Sequence, residues 1–346
     1  MSALDRLARL AAPFAAAAHV RAGTRVGLQL LDDGFAAARV RTGAAGKPAV
    51  EAVAARRASG EGGRRELLRR AQREDLLRAA AVNVVLCAGQ YELHQIAAPA
   101  VPRDELREAV RWQLRGVLSY PPEQATVDFA ELPRAPGDGA TPRGTSLLVA
   151  AARSDLLAAL ADELGALGIE PDAIDIPEFA QRNLGALADD AEGTQAWLAF
   201  DADSCLLTVQ LGDQLCFARR IPLAGARAPA ALDEAALTHL IERLALHVHR
   251  SLELFERQSG LPAVLGITLG PHRHAELIAA EILVRTGIDC QVFDPGAALA
   301  IEDRLLRSEL GLQQDGLAAL GAALRARGAH AGLAGWRRWL RWPQAA

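Results

Sequence analysis

The sequence has 346 residues, about twice the usual domain length, so two domains are the starting expectation. It is 51% apolar but only 4% aromatic, which predicts a core of Leu, Val, Ile and Ala large enough to need neither disulfide nor metal staples. Residues 1–80 carry 15 basic and 8 acidic side chains and residues 316–346 carry 5 basic and none acidic, so the net charge of −4 hides an acidic body between two basic ends. That body argues against a nucleic-acid partner, while the basic ends suit an anionic membrane face. Lys47, the one lysine, is followed by Pro48, which excludes a phosphate-binding Gly-Lys-Ser/Thr loop and argues against Schiff-base chemistry. Cys87, Cys205, Cys216 and Cys290 form no Cys-x-x-Cys pair and sit in apolar stretches, as expected of free thiols in the cytoplasm. No apolar run reaches the length of a membrane span.

Residues 4–18 read as a helix with Leu4, Leu7, Leu10, Ala11 and Phe14 on one side. Three strands follow at Arg25–Leu31, Phe35–Arg41 and Ala49–Ala55, the first two joined by an Asp32-Asp33-Gly34 turn. After a Gly- and Arg-rich break come a charged helix to about Ala80 and strands at Val82–Cys87 and Leu93–Ala97. Leu106, Val110, Leu114 and Val117 keep helical spacing over Arg103–Leu118, and Tyr120-Pro121-Pro122 ends that helix. Residues 134–144 are a Pro/Gly loop, followed by a strand (Ser146–Ala151), a helix (Ser154–Gly165) and a connection at Leu184–Gly193. Strands at Gln195–Phe200, Cys205–Leu211 and Gln214–Ile221 then repeat the opening pattern, the last two joined by Gly212-Asp213. Helices at Asp233–Gln258, Ala275–Thr286 and Asp315–Arg327 and strands at Val264–Leu269 and Asp289–Phe293 complete it. Three antiparallel strands feeding alternating helices and strands, twice over, predict an α/β chain of the duplicated ribonuclease-H-like, or actin-like, class.

Several segments carry a more specific signal. PRDELREAVRWQ at 102–113 is followed by LSYPP at 118–122 and Asp128-Phe129. LLVAAAR at 147–153, LGIEPDAID at 167–175, RSLELF at 250–255 and Ala318–Leu324 follow in turn. In this order and spacing they resemble the PilM-like type IV pilus assembly family, most closely its MshI-type members of the mannose-sensitive (MSHA) pilus. The resemblance spans roughly residues 22–326. It implies an FtsA/PilM-type actin-like fold: a first half over 22–190 with an inserted subdomain at about 64–152, and a second half over 191–328. It also implies a cytoplasmic scaffold, peripheral at the inner membrane, that binds the cytoplasmic tail of a PilN-like membrane protein beside other pilus platform components. A GspL-like type II secretion adaptor and an active ATPase or kinase of the same fold are the alternatives.

An actin-like nucleotide site needs backbone amides of two glycine-bearing hairpins, each with an aspartate for hydrated Mg²⁺. Here the hairpins read Gln29-Leu30-Leu31-Asp32-Asp33-Gly34 and Asp201-Ala202-Asp203-Ser204, and the adenosine loop is Gly270-Pro271. A leucine Cβ blocks phosphate from the backbone, and proline removes a donor. No bound ATP, Mg²⁺ or other cofactor is therefore expected; if a site were retained, Asp32, Asp33, Gly34, Asp201, Asp203, Ser204 and Gly270 would form it. On the 103–118 helix Glu105, Glu108, Arg111 and Trp112 are candidate partner contacts, with ion pairing along the helix as the competing reading. Residues 329–346 form a basic, Trp-rich segment. There Trp336, Trp339, Leu340 and Trp342 fall on one side of a helical wheel and Arg337, Arg338 and Arg341 on the other, a division suited to a lipid headgroup interface or a partner groove.

Overall fold

The computed structural model describes residues 23–42, 46–58, 63–74, 76–77, 80–133, 145–187, 193–201, 203–223, 233–301, 314–325 and 333–334. The helix expected at 4–18 and the residues Trp336 to Trp342 lie outside the described residues.

The first half opens with the expected antiparallel strands β1 (Thr24–Leu31), β2 (Gly34–Arg41) and β3 (Ala49–Arg57). Helix α1 (Gly63–Arg73) leads to β4 (Ala81–Val85), which lies parallel to β1. Next come β5 (Tyr91–Ala97), α2 (Leu106–Gln113), β6 (Ala125–Glu131) and β7 (Ser146–Arg153), then α3 (Ser154–Gly165), β8 (Pro171–Asp175) and α4 (Pro177–Gly185). The second half repeats the plan with β9 (Thr194–Phe200), β10 (Ser204–Leu211), β11 (Gln214–Pro222), α5 (Glu234–Ser259), β12 (Val264–Leu269), α6 (Ala275–Thr286) and β13 (Cys290–Val292). The chain then returns to the first half through α7 (Pro295–Ala298), β14 (Ala300–Ile301), α8 (Gln314–Ala323) and β15 (Leu333–Ala334).

The first sheet runs β14-β3-β2-β1-β4-β8-β15 and the second β11-β10-β9-β12-β13, so the strand order 3-2-1-4-5 recurs in each half. The β1–β2 and β10–β11 hairpins each turn on two residues. In the second, Gly212 takes φ +58, a conformation that favours glycine. One face of the second sheet and helices α5 and α6 enclose a core that includes Leu198, Leu207, Val248, Phe255 and Ile282. Asp233 caps α5 by accepting from the Ala236 amide at 2.7 Å.

Two boundaries differ from those expected. The segment from about 64 to 85 belongs to the first sheet and its core, with Leu68 and Ala71 of α1 fully buried there. The separate three-stranded sheet, β5-β7-β6, begins at Tyr91. Second, α8 does not stay with the second half: it packs on β1, β2 and β4, while α4, which closes the first half, packs on β9, β10 and β11. Each half thus lends its last helix to the other, and the two helices touch along the middle of the molecule. Gln181 Nε2 lies within 2.9–3.2 Å of Trp197 O, Leu206 O and Thr208 Oγ1. Asn83 and Asn183 each donate to α8, to Ala322 O and Gly321 O, at 2.8 Å. These buried amides fix register, because each would lose far more by going unpaired than it gains by pairing.

Candidate functional site

Two places concentrate polar side chains: the cleft between the halves, and the junction of the insert with both. The cleft is walled by Gln29 of β1, Gln181 and Leu184 of α4, Trp197 and Phe200 of β9, and Leu317 of α8. Asp201 stands at its rim and is its one carboxylate among the described lining residues. The Cys87 thiol is pushed up to about 11, by burial above all and then by the charges of Asp201 and Asp32.

The groups that would cradle phosphate are engaged otherwise. The Asp201 amide donates to Ser204 O at 2.8 Å and the Gly270 amide to Leu198 O at 2.7 Å. A Cβ on Gly270 would sit 3.0 Å from Leu317 Cδ1, so that loop is packed against α8. Gly34 is required by β3, since a Cβ there would lie 1.9 Å from Arg56 O. Asp33 pairs with Arg57 at 2.7 Å on the surface. Asp203 is exposed, its carbonyl accepting from the Leu223 amide. The His272 ring packs on Phe200 with centroids 4.5 Å apart and planes tilted by 40°. Among the described residues no three His, Cys, Asp or Glu side chains are grouped as metal ligands.

The junction was not foreseen. Arg220 of β11 meets Asp201 Oδ2 at 3.1 Å and Ser204 Oγ at 3.3 Å within the second half and reaches out of it to the Tyr91 hydroxyl at 3.3 Å. That hydroxyl, at the start of the insert, donates to the carboxylate of Glu178 at the start of α4 at 2.7–2.8 Å. Arg220 itself lies 3.6 Å from Glu178. Glu178 is 3% exposed. Burial pushes its carboxyl up against the pull of Arg220 and Tyr91, and pushes the Tyr91 phenol up as well. For Arg220 burial acts downward, but its anionic and phenolic neighbours win and hold the guanidinium charged. One cation therefore joins the insert, the first half and the second half. A second buried pair, Asp175 with Arg325 at 2.6 Å, ties the end of α8 to the end of β8.

The insert sheet has two unlike faces. Leu148, Ala150 and Ala152 merge into the core of the first half, whereas Leu147, Val149 and Ala151 are covered by Val110 of α2 and by Leu114 just after it. The four expected partner contacts sit on the outer side of α2. Glu105 is exposed ahead of its first turn. Glu108 accepts from both Arg111 and Trp112 at 2.5 Å, and Arg115 lies over the Trp112 ring at 4.7 Å. Charge on this surface is thus largely satisfied within the helix. The opposite face forms a seam with the first half, a small recess lined by Asp128, Phe129, Ala150, Ile174, Ile176 and Phe179. Helix α2 reaches it through Arg107, 3.5 Å from Asp128, whose carboxyl burial raises to about 7.

Residues 50–234, more than half of the chain, match the sequence profile of the type IV pilus assembly protein PilM. The chain belongs to that family. Its fold is actin-like. A PilM–PilN type IV pilus biogenesis complex matches over 87% of this chain and 98% of the other, at 23% identity and a TM-score of 0.67. A Bacteroides thetaiotaomicron protein with an actin-like ATPase fold covers 80% of this chain and 92% of its own at 9% identity (TM-score 0.47). The cytoplasmic domain of EpsL, from the Vibrio cholerae type II secretion system, covers 72% and 83% at 14% identity (TM-score 0.45). No curated protein matches the sequence significantly. Among the described residues of this PilM-family chain, no helix is long and apolar enough to cross a membrane.

Proposed function

We propose that this PilM-family chain is a non-catalytic scaffold at the cytoplasmic face of the inner membrane, where it holds the cytoplasmic tail of a PilN-like protein in an MSHA-like pilus platform. The observation that carries the reading is the state of the cleft. The Asp201 and Gly270 amides are spent on backbone acceptors, and the rim carboxylate is paired with Arg220. Phosphate binding would have to break those bonds and bring its charge toward Asp201 without a vacant cradle. Mg-ATP titrated into the full chain in a calorimeter is expected to show no binding tighter than about 10 μM, roughly −7 kcal/mol. A dissociation constant below that would replace the scaffold reading with the working ATPase.

The partner half of the reading is supported by family membership, by the likeness to a PilM–PilN complex, and by the seam beside the insert. A tail laid along this edge of the insert would cover the half-buried Phe129, with Asp128 and Arg107 fixing its direction. Phe129→Ala and Arg107→Glu are expected to weaken capture of a peptide copied from a PilN-like tail by tenfold or more, about 1.4 kcal/mol. Trp112→Ala and Glu105→Ala, on the outer face of α2, should leave it within about twofold. The reverse pattern would move the docking site to the outer face of α2.

A further inference from the structure

Many arginines of this fold are answered by a carboxylate: Arg39 and Arg41 share Glu51, and Arg64 pairs with Glu163. Along α5 that pattern breaks. Arg243, His247 and Arg250 recur at i, i+4 and i+7, which places them on one stripe of the helix. Arg243 and Arg250 are exposed and His247 is half-buried, and none of the three meets a carboxylate among the described residues. Burial, and then the charges of Arg219, Arg243 and Arg250, hold the His247 imidazole below its ordinary range. The acidic residues Glu242, Glu253 and Glu256 fall on the other side of the exposed face of α5, where Glu253 lies 3.5 Å from His249.

A third arginine comes from the strand beside that stripe. Phe217, Arg219 and Ile221 of β11 point to the α5 side of the second sheet. Phe217 packs on Phe255 with ring centroids 6.0 Å apart, Ile221 joins the same core, and Arg219 donates to Ser251 Oγ at 3.3 Å. Strand β11 is also the edge of its sheet: its inner side pairs with β10, and among the described residues no strand pairs its outer side. Its nine residues thus present main-chain donors and acceptors beside three guanidinium groups that no carboxylate neutralises among the described residues. One exposed arginine is ordinary protection for an edge. Two more on the adjoining helix make the edge selective for charge.

We propose that β11 accepts an extended acidic segment of a protein partner as a sixth strand of the second sheet, its carboxylates held by Arg219, Arg243 and Arg250. Main-chain bonds to β11 supply affinity for extended chain, and the arginines select its charge. The dimensions agree. Arg243 and Arg250 are about 10 Å apart along α5, a rise of seven residues, while side chains on one face of an extended chain repeat every 7 Å or so, about two residues. Carboxylates at alternate positions therefore reach both. A bilayer is a poorer occupant, because a plane laid on this side of α5 meets Glu242 and Glu253 as well as the arginines. Single-stranded nucleic acid needs rings for its bases to stack on, and Phe217 and Phe255 are spent on each other. The site uses none of the residues of the seam beside the insert, so it stands apart from the reading of a PilN-like tail there.

The test is fluorescence anisotropy of the full chain with a labelled peptide of β11's length, carrying glutamate at every second position with threonine and valine between. A dissociation constant of about 100 μM or tighter is expected. Glutamine in place of each glutamate, or Arg243→Glu with Arg250→Glu in the protein, should weaken binding by about tenfold or more, and added salt should act in the same direction. Arg285→Glu on α6, a like change of charge elsewhere on the second half, should cost less than about twofold. Methylating alternate amide nitrogens of the peptide gives two further probes. The set that faces β11 should lose binding, and the other set should keep it within about twofold. The peptide arms use the unaltered chain, so a misfolded variant cannot stand in for lost recognition. No binding of the glutamate peptide, equal binding of the glutamine peptide, or equal loss from both methylated peptides would overturn the proposal. So would capture of phosphatidylglycerol vesicles or of oligothymidylate through Arg243 and Arg250 in preference to the peptide.

Discussion

Arg220→Ala is expected to lower the unfolding free energy by about 3–5 kcal/mol, the usual result of stripping the counter-charge from a buried carboxylate. Glu178 is 3% exposed, and its remaining partner would be the Tyr91 hydroxyl. Asp201 also loses its partner, but its side chain is 45% exposed and water replaces the guanidinium at small cost. The loss therefore traces to Glu178, and removing that charge should repair it. Adding Glu178→Gln to Arg220→Ala is expected to restore at least half of the lost stability, with a coupling energy above about 1 kcal/mol in a double-mutant cycle read by urea unfolding. A cost below about 1 kcal/mol for Arg220→Ala alone would mean that the three blocks are held together without this cation. Arg220 joins the Tyr91 hydroxyl of the insert to Asp201, the carboxylate at the rim of the cleft.

The contrast between what the sequence discloses and what it hides follows from how far apart the partners lie. Strands β1, β2, β10 and β11 announce themselves by short apolar runs and by two-residue turns, because both signals are local. Helix α4 does not. All nine of its residues are buried, including Glu178, Gln181, Arg182 and Asn183, so it has no solvent face for polar residues to mark. A helix polar by composition and buried on every side defeats the amphipathic pattern. The legible sign was Pro177 directly after an apolar segment, a first-turn residue of helices. Helix α8 was visible as a helix, but its neighbour was not, because nothing local shows that it leaves the second half for β1. The Tyr91–Glu178–Arg220 junction joins residues 87 and 129 positions apart. No spacing rule reaches that far. For α2 the periodicity shows the helix, and of the two readings its outer charges allow, ion pairing along the helix is visible in Glu108, Arg111 and Trp112, which answer one another within two turns.

Gly27→Ala should have the larger effect of two glycine replacements that look alike on paper. On β1, a Cβ at Gly27 would lie 1.8 Å from Ala319 O and 2.7 Å from the Ala323 nitrogen, both backbone atoms of α8. Neither can swing aside as a side chain does, so the whole helix must retreat by about 1.5 Å or more to reach van der Waals contact. Ala319, Leu320 and Ala323 are fully buried, and their packing goes with it. The other side of α8 offers no room. Gly321 is pressed against α4, where a Cβ would meet Ala180 O at 2.0 Å, so α8 is wedged between the first sheet and the helix that enters the second half. A shift at Gly27 is therefore passed to both halves and to the Leu317 contact with Gly270 in the cleft. The expected loss exceeds about 4 kcal/mol, in the range reserved for overpacked cores and strained backbone. Gly165→Ala is the matched comparison: it lies in α3 with nothing within 4 Å of the added methyl. There the substitution removes freedom from the unfolded chain and should be neutral or stabilising by up to about 1 kcal/mol. Urea unfolding of the two variants side by side reads the difference, and a Gly27→Ala protein as stable as Gly165→Ala would show that α8 does not bear on β1 as closely as its backbone contacts require.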